Sequence, residues 1–297
     1  MQGVLVVAGA TTAGKTECAL ELARAFGAEI VSADSRQVYR GMPIGTAAPT
    51  EEQRSEIPHH LVGFLDPTER YSAARFAAEA TAIVRNIHNR GKRAIVVGGT
   101  GFYIRALTGA ISLASQFDEA LREELAREAR VHPPEFLHAR LALRDPERAA
   151  ALAPNDSYRI VRALEIALAP RFATLRAQEL ETLRSAGIPF YKVFLDVPLP
   201  QLDERIARRA EGMLVSGMLE EAERIGASAV AANAVGYPHA LAYLRGLSTV
   251  EELRELLARA TRRYARRQRA WFRREPDTEW MDCSRIAIAA REKLGWS

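Results

Sequence analysis

Residues 9–16 read Gly-Ala-Thr-Thr-Ala-Gly-Lys-Thr: two glycines separated by four residues, then lysine and threonine. That spacing is the phosphate-binding loop pattern, and its chemistry is anion capture. Gly9 and Gly14 let the backbone turn and approach phosphate closely. Ala10, Thr11, Thr12 and Ala13 carry the loop into a helix start, where backbone N–H groups lack partners. Lys15 would neutralise the outer phosphate, and the Thr16 hydroxyl would bind Mg²⁺. Four fixed positions recur by chance in about one chain in a hundred of this length, so a plain glycine turn explains them poorly. The loop does not say which phosphorylated molecule it holds.

A second reactive stretch is Ala33-Asp34-Ser35-Arg36-Gln37-Val38-Tyr39. At the carboxyl end of a strand expected beside the loop strand, the Asp34 carboxylate can bind Mg²⁺ through water or take a proton from a nucleophile. It can equally cap the following segment through backbone hydrogen bonds. Gly98-Gly99-Thr100-Gly101 ends another strand, and Thr100 gains interest only because the other two strand ends converge with it. Arg205 and Arg209 are four apart on a helix beginning near Leu199. Two guanidiniums so placed can clamp a diphosphate, yet spacing alone favours a solvated basic face paired with Asp203, Glu204 and Glu211.

Arginine dominates the end of the chain. From Arg259 to Arg274 there are eight arginines and no acid. Arg259, Arg262, Arg266, Arg269 and Arg273 fall 3, 4, 3 and 4 apart and form one stripe. Tyr264 and Trp271, seven apart, form another. Arginine with nearby aromatics suits RNA, whose bases splay and stack. A second basic patch, with Arg159 and Arg162 on one face and Ile160 and Leu164 on another, reads alone as an ordinary amphipathic helix. His59-His60 point to opposite faces of a strand and make a poor metal site.

These residues need a scaffold. Val4–Ala8, Glu29–Ser32, His60–Leu65 and Arg93–Val97 read as strands alternating with helices 15–26 and 72–90. That alternation predicts an α/β fold with a parallel sheet and its phosphate site at the carboxyl edge. From 118 to 186 the chain reads as short helices punctuated by proline. A strand at Tyr191–Val197 and a short one at Thr278–Met281 then return to the sheet. The expected organisation is a phosphate-loop core over 1–111, an all-helical insertion over 112–187, and completion of the core with a long arginine helix over 188–297. About half the residues are apolar and net charge is +4. No eighteen-residue apolar run exists, no charged leader precedes the first strand, and two distant cysteines argue against a disulfide scaffold. A cytoplasmic enzyme fits these features, with no membrane association and no obligate protein partner evident. The phosphate loop alone also suits a small-molecule kinase.

Taken in order, the segments resemble the tRNA dimethylallyltransferase (tRNA isopentenyltransferase) family. They are Gly9–Thr16, Asp34–Tyr39, Gly41–Ala47, Tyr71–Ala73, Gly98–Thr100, Arg159–Glu165, Gly236-Tyr237 and Tyr264–Arg273. The resemblance spans nearly the whole chain. Asp-Ser-Arg-Gln-Val-Tyr and Arg-Arg-Gln-Arg-Ala-Trp-Phe-Arg are its specific parts. It implies transfer of a dimethylallyl group from dimethylallyl diphosphate to the exocyclic amine of the adenosine 3′ of the anticodon. The substrates are the diphosphate and a tRNA anticodon stem-loop. It further implies that Lys15, Thr16 and Mg²⁺ hold diphosphate, that Arg205 and Arg209 form a second clamp, and that Asp34 is the general base. The tRNA contacts it implies are Asp34, Ser35, Arg36, Gln37, Thr100, Arg122, Arg159, Arg162, Gly236, Tyr237, Arg266, Arg267, Arg269 and Arg273. A nearby alternative is prenylation of free adenosine nucleotides, for which an RNA-gripping insertion and arginine helix have little use. Three departures touch the RNA-gripping parts. The Ala169–Phe172 connection is short, 112–117 lacks prolines, and Pro238-His239 follows Tyr237 where a basic residue is common.

Overall fold

The computed structural model describes residues 2–111, 119–168 and 181–297. The chain divides into two compact units, one of 1–111 with 181–297 and one of 112–180. The departures noted at 112–117 and at Ala169–Phe172 lie outside the described residues.

Six strands build the first unit: β1 (Val4–Gly9), β2 (Ala28–Ser32), β3 (His59–His60), β4 (Arg93–Gly98), β5 (Phe190–Leu195) and β6 (Thr278–Met281). They form one sheet in the order β3-β2-β4-β1-β5-β6, and every pair is parallel. Central β1 is buried along its whole length, as its unbroken apolar run requires when both sheet faces are covered. Leu5 registers with Ile95 on one side and Tyr191 on the other.

In chain order the helices begin with α1 (Lys15–Phe26), α2 (Pro43–Thr46), α3 (Glu51–Glu56), α4 (Ala73–Asn89) and α5 (Gly101–Leu107). The second unit supplies α6 (Glu119–Val131), α7 (Pro134–Ala142), α8 (Pro146–Ala150) and α9 (Ser157–Leu168). The first unit resumes with α10 (Leu199–Val215), α11 (Met218–Ile225), α12 (Tyr237–Leu244), α13 (Val250–Phe272) and α14 (Cys283–Leu294). Helix α1 buries Ala19, Leu22, Ala23 and Phe26, the face its spacing predicts. The 23-residue α13 starts on a capping box in which Thr249 and Glu252 satisfy each other's backbone N–H.

Four expectations need correction. The strand expected at His60–Leu65 shrinks to His59–His60, because Leu61 and Gly63 take left-handed φ of 61° and 62° and end it. Asp34 does not follow a neighbour of β1, since β4 lies between β1 and β2. The insertion ends at 180 rather than 187: Leu183 N–H donates to Leu107 O, and Ile188 N–H to Leu183 O, tying 181–188 to the sheet unit. Finally, Cys18 and Cys283 are joined in a disulfide across 265 positions of sequence. Their meeting is topological: β6 lies on β5, and β5 on β1, so α14 begins beside α1.

The second unit has its own core of Leu125, Leu137, Leu141, Ala149, Ile160, Ala163 and Leu164. Ile160 and Leu164 are fully buried, as their shared face predicts. Buried Glu165 pairs with Arg122 at 3.0 Å and also with Arg162. Arg159 is exposed and pairs with Asp156 at 3.2 Å, beside an exposed Tyr158.

Candidate functional site

The carboxyl ends of β1, β2, β4 and β5 open onto one cavity of about 1130 Å³. Thr11–Thr16, Asp34–Gln37, Gly98, Arg205, Arg209, Tyr264, Arg267 and Gln268 all line it. A second cavity of about 710 Å³ shares Gln37, Ala47, Ala48, Thr50, Arg209 and Met213 with the first.

Its cationic side starts at the glycine loop. Lys15 opens α1, and its Nζ donates to Ala10 O at 2.8 Å. The residue as a whole is half-buried. Burial pushes its pKa down to about 8; Asp34 opposes that shift, while Arg209 adds to it. Arg205 and Arg209 reach the same wall from α10. Arg205 Nη1 donates to Ala13 O at 3.2 Å, inside the loop itself. Arg209 is held below the usual guanidinium range by burial, and its Nε has no hydrogen-bond partner among the described residues. A buried donor left unpaired is costly, which marks Arg209 as waiting for an anion. Structure thus overrides spacing for this pair, because Arg205 and Arg209 face the cavity and not solvent.

Asp34 faces these cations across the end of β4. The sheet order should keep it away, but Gly98 removes the obstacle. A Cβ on Gly98 would fall 2.1 Å from Ala33 O. The bare strand end lets Ala33 N–H donate to Val97 O at 2.7 Å and swings the Asp34 loop over β4. Asp34 Oδ1 accepts the backbone N–H of Arg36 at 2.8 Å and, more weakly, that of Gln37 at 3.4 Å. Oδ2 makes no hydrogen bond among the described residues. One oxygen therefore caps the turn, as the capping reading expects, and the other is left open towards the cavity.

Other residues from the sequence reading divide. Ser35 N–H donates to Thr100 Oγ1 at 3.0 Å, so the loops after β2 and β4 do converge. Gln37 is spent internally: its Nε2 donates to Ala47 O at 3.1 Å, and its Oε1 accepts from Ser32 Oγ at 3.0 Å. Gly236 lines the cavity, whereas the Tyr237 ring is fully buried and its hydroxyl donates to Glu221 Oε1 at 2.5 Å. On α13 the stripe is only partly outward. Arg259, Arg266 and Arg273 are exposed, as is Arg267, and Arg262 pairs with Asp203 at 3.6 Å. Arg269 is mostly buried and donates to Asp196 Oδ1 and Val197 O, both at 2.9 Å. Arg122, Arg159 and Arg162 belong to the second unit.

Sequence reasoning missed two polar anchors. Glu221, 1% exposed, accepts Ile44 N–H at 2.9 Å and Gly45 N–H at 2.8 Å as well as the Tyr237 hydroxyl. It fixes the segment whose Ala47 carbonyl holds Gln37. Gln268, buried within the arginine run, accepts Thr11 N–H and donates to Gly99 O. A neutral amide amid eight arginines was the available signal for it.

Comparison with known proteins agrees with this architecture. A family model described as IPP transferase matches residues 37–275, and one described as isopentenyl transferase matches 2–62. A tRNA dimethylallyltransferase of Geobacter sulfurreducens is 41% identical over 284 residues, covering 94% of this chain and 91% of that protein. The crystal structure of a full-length tRNA isopentenylpyrophosphate transferase from Bacillus halodurans superposes with a TM-score of 0.71 at 34% identity, covering 99% of this chain and 97% of the other. A eukaryotic dimethylallyltransferase acting on tRNA gives 0.77 at 26% identity, covering 99% and 76%. With a sheet edge that sets Lys15, Arg205 and Arg209 opposite Asp34 and a family match across most of its length, the chain belongs to the IPP transferase family.

Proposed function

We propose that this protein transfers a dimethylallyl group from dimethylallyl diphosphate to the exocyclic amine of the adenosine 3′-adjacent to the anticodon of tRNA. The observation that carries this reading is one cavity holding Lys15, Arg205 and Arg209 on one side and the Asp34 carboxylate on the other. The transfer requires both ends. The allylic C–O bond breaks and its electron pair leaves with diphosphate. The amine lone pair forms the new C–N bond, and the amine proton goes to Asp34 Oδ2.

Each residue then has a defined task. Lys15, Arg205, Arg209 and the amides that open α1 stabilise charge growing on the leaving diphosphate. Arg209 gains the partner its Nε lacks. Asp34 takes a proton while its other oxygen stays on the Arg36 amide, so the carboxylate need not reorient. Holding both substrates in one cavity removes much of the entropic cost of a bimolecular step. Because stacked adenine cannot reach such a recess, the nucleotide must be extruded from its stack. Tyr264 lines the same cavity, and Thr100 adjoins it through its bond to Ser35, which supports a role for both towards that base.

The donor set fits Mg²⁺. Thr16 and Asp34 offer hard oxygens to one cavity, and no cluster of three His, Cys, Asp or Glu exists among the described residues. Such an ion would take most of its oxygens from diphosphate and water, with Thr16 as its protein ligand. Bound there, it would supply further neutralisation of the leaving group. The exposed arginines of α13 give the RNA a basic track. No helix among the described residues is long and apolar enough to cross a membrane.

The test is transfer of labelled dimethylallyl from its diphosphate to unmodified tRNA with Mg²⁺ present. Label in tRNA alone supports the reading. Label in AMP but not tRNA would replace it with nucleotide prenylation.

A further inference from the structure

The inner face of α13 is made of Leu253, Leu257, Ala258, Ala265, Gln268 and Phe272. Gln268 is the polar member of that set, and only 5% of it is exposed. Buried side-chain amides have to place four hydrogen-bonding positions, so packing alone does not explain it. Its Oε1 accepts Thr11 N–H at 2.8 Å, and its Nε2 donates to Gly99 O at 2.9 Å. The partners fix which end is which, because Thr11 N–H can only donate and Gly99 O can only accept. One side chain on the arginine helix is thereby fastened to the anion loop after β1 and to the turn after β4.

The neighbours of Gln268 on α13 extend this connection. Arg266 and Arg267 on the adjoining positions are exposed, and Arg267 also lines the cavity, its guanidinium over the ring of Tyr264 one turn earlier. The exposed arginines and the anion loop are therefore two faces of one helix–loop contact. Thr11 sits in the entry limb of the loop, just before Thr12, which takes a left-handed φ of 65°. A non-glycine residue in that region is held by its surroundings. Among the described residues, the bond from Gln268 is a side-chain hydrogen bond to that limb from outside the loop.

We propose that Gln268 is the positioning residue through which RNA seated along α13 and diphosphate held at the Gly9–Thr16 loop strengthen each other's binding. The inference rests on the RNA-directed reading of α13. Each ligand orders the same contact, so the second to bind meets a loop already ordered by the first. The effect is reciprocal, since coupling of two binding equilibria has one value in both directions.

Calorimetric titration of the whole protein with inorganic diphosphate and Mg²⁺, with and without an unmodified anticodon stem-loop RNA, tests this. In the parent, RNA should tighten diphosphate at least about fivefold, the lower end of ordinary coupling. Gln268→Met keeps the volume and removes both bonds; there the factor should fall below about twofold, whatever the affinity of each ligand alone. A residue of purely structural importance would lower the unfolding temperature and leave the factor unchanged. Should Gln268→Met not fold, Gln268→Glu carries the same expectation, because it keeps the acceptor for Thr11 and removes the donor for Gly99. A parent that binds both ligands without coupling, or a variant that retains full coupling, overturns the proposal. A parent that binds diphosphate but no RNA overturns the RNA-directed reading itself.

Discussion

Lys15 offers the sharpest quantitative expectation, because its environment moves its charge change into an accessible range. Burial lowers its pKa from 10.5 to about 8, so the empty site loses this cation as pH rises past 8. A bound diphosphate would favour the ammonium and return the pKa toward its ordinary value. Between the two pKa values binding takes up a proton, and affinity falls up to tenfold per pH unit. If the bound value returns fully to 10.5, the span is worth about 3.4 kcal/mol, or about 300-fold in affinity. Over pH 7 to 9.5 the same two values give a loss of about 25-fold. The organic diphosphate does not confuse the result, since the last ionisation of a phosphate monoester lies near pH 6. Nor does Tyr264, whose phenol is pushed up by burial and by Asp34 and stays protonated. Stability moves the other way. The unfolded chain holds this proton up to 10.5 and the folded one releases it near 8, so the contribution of Lys15 to stability rises over that window. The assay is calorimetric binding of dimethylallyl diphosphate without tRNA at half-unit steps. Lys15→Arg, charged throughout, should flatten the curve whatever its absolute affinity. A flat parental curve to pH 9.5, or an equal slope in Lys15→Arg, refutes the assignment of Lys15 to the diphosphate.

Other expectations follow from the same geometry. Asp34→Asn keeps an oxygen for the Arg36 amide but removes the proton acceptor, so single-turnover transfer should fall by about 10²–10⁴-fold with both substrates still bound; a drop below threefold would leave Asp34 only its capping role. Thr16→Ala should raise the Mg²⁺ concentration needed for half-maximal transfer, and an unchanged titration would place the metal elsewhere. Arg266→Ala with Arg267→Ala should flatten the logarithmic salt dependence of tRNA binding by about 0.7–0.9 per lost phosphate contact. Arg269→Ala should instead destabilise the fold by about 1.5–3 kcal/mol through its lost bonds to Asp196 and Val197, read by denaturant unfolding. Reducing the Cys18–Cys283 bond should lower stability by about 2–4 kcal/mol, because it frees a loop spanning 265 positions; identical unfolding with and without reductant would contradict it.

Much of the site was legible because local spacing dictates local structure. The loop Gly9–Thr16 requires a strand before it and a helix after it, and β1 and α1 fall where that rule places them. The helix expected over 72–90 likewise falls on α4, which Ser72 caps in the structure. Sheet order was not legible. Nothing local to Asp34 shows that β4 separates its strand from β1, and the remedy, Gly98, lies 64 positions away. The arginine stripe was read from helical spacing alone. Spacing says which residues share a face but not which face meets the protein, so Arg269 looked like its neighbours until Asp196 and Val197 were seen against it. Glu221 and Gln268 escaped for a related reason. Their partners are backbone groups of distant segments, and backbone groups leave no mark in residue identity.

The central claim is that one cavity joins a dimethylallyl diphosphate site to an RNA-directed adenosine site. The most direct measurement presents labelled dimethylallyl diphosphate and Mg²⁺ together with equal adenosine concentrations as unmodified tRNA and as AMP. Label should enter tRNA, at the adenosine 3′ of the anticodon, and should vanish when that base is replaced by guanosine. Label in AMP, or in tRNA irrespective of that position, would contradict the account.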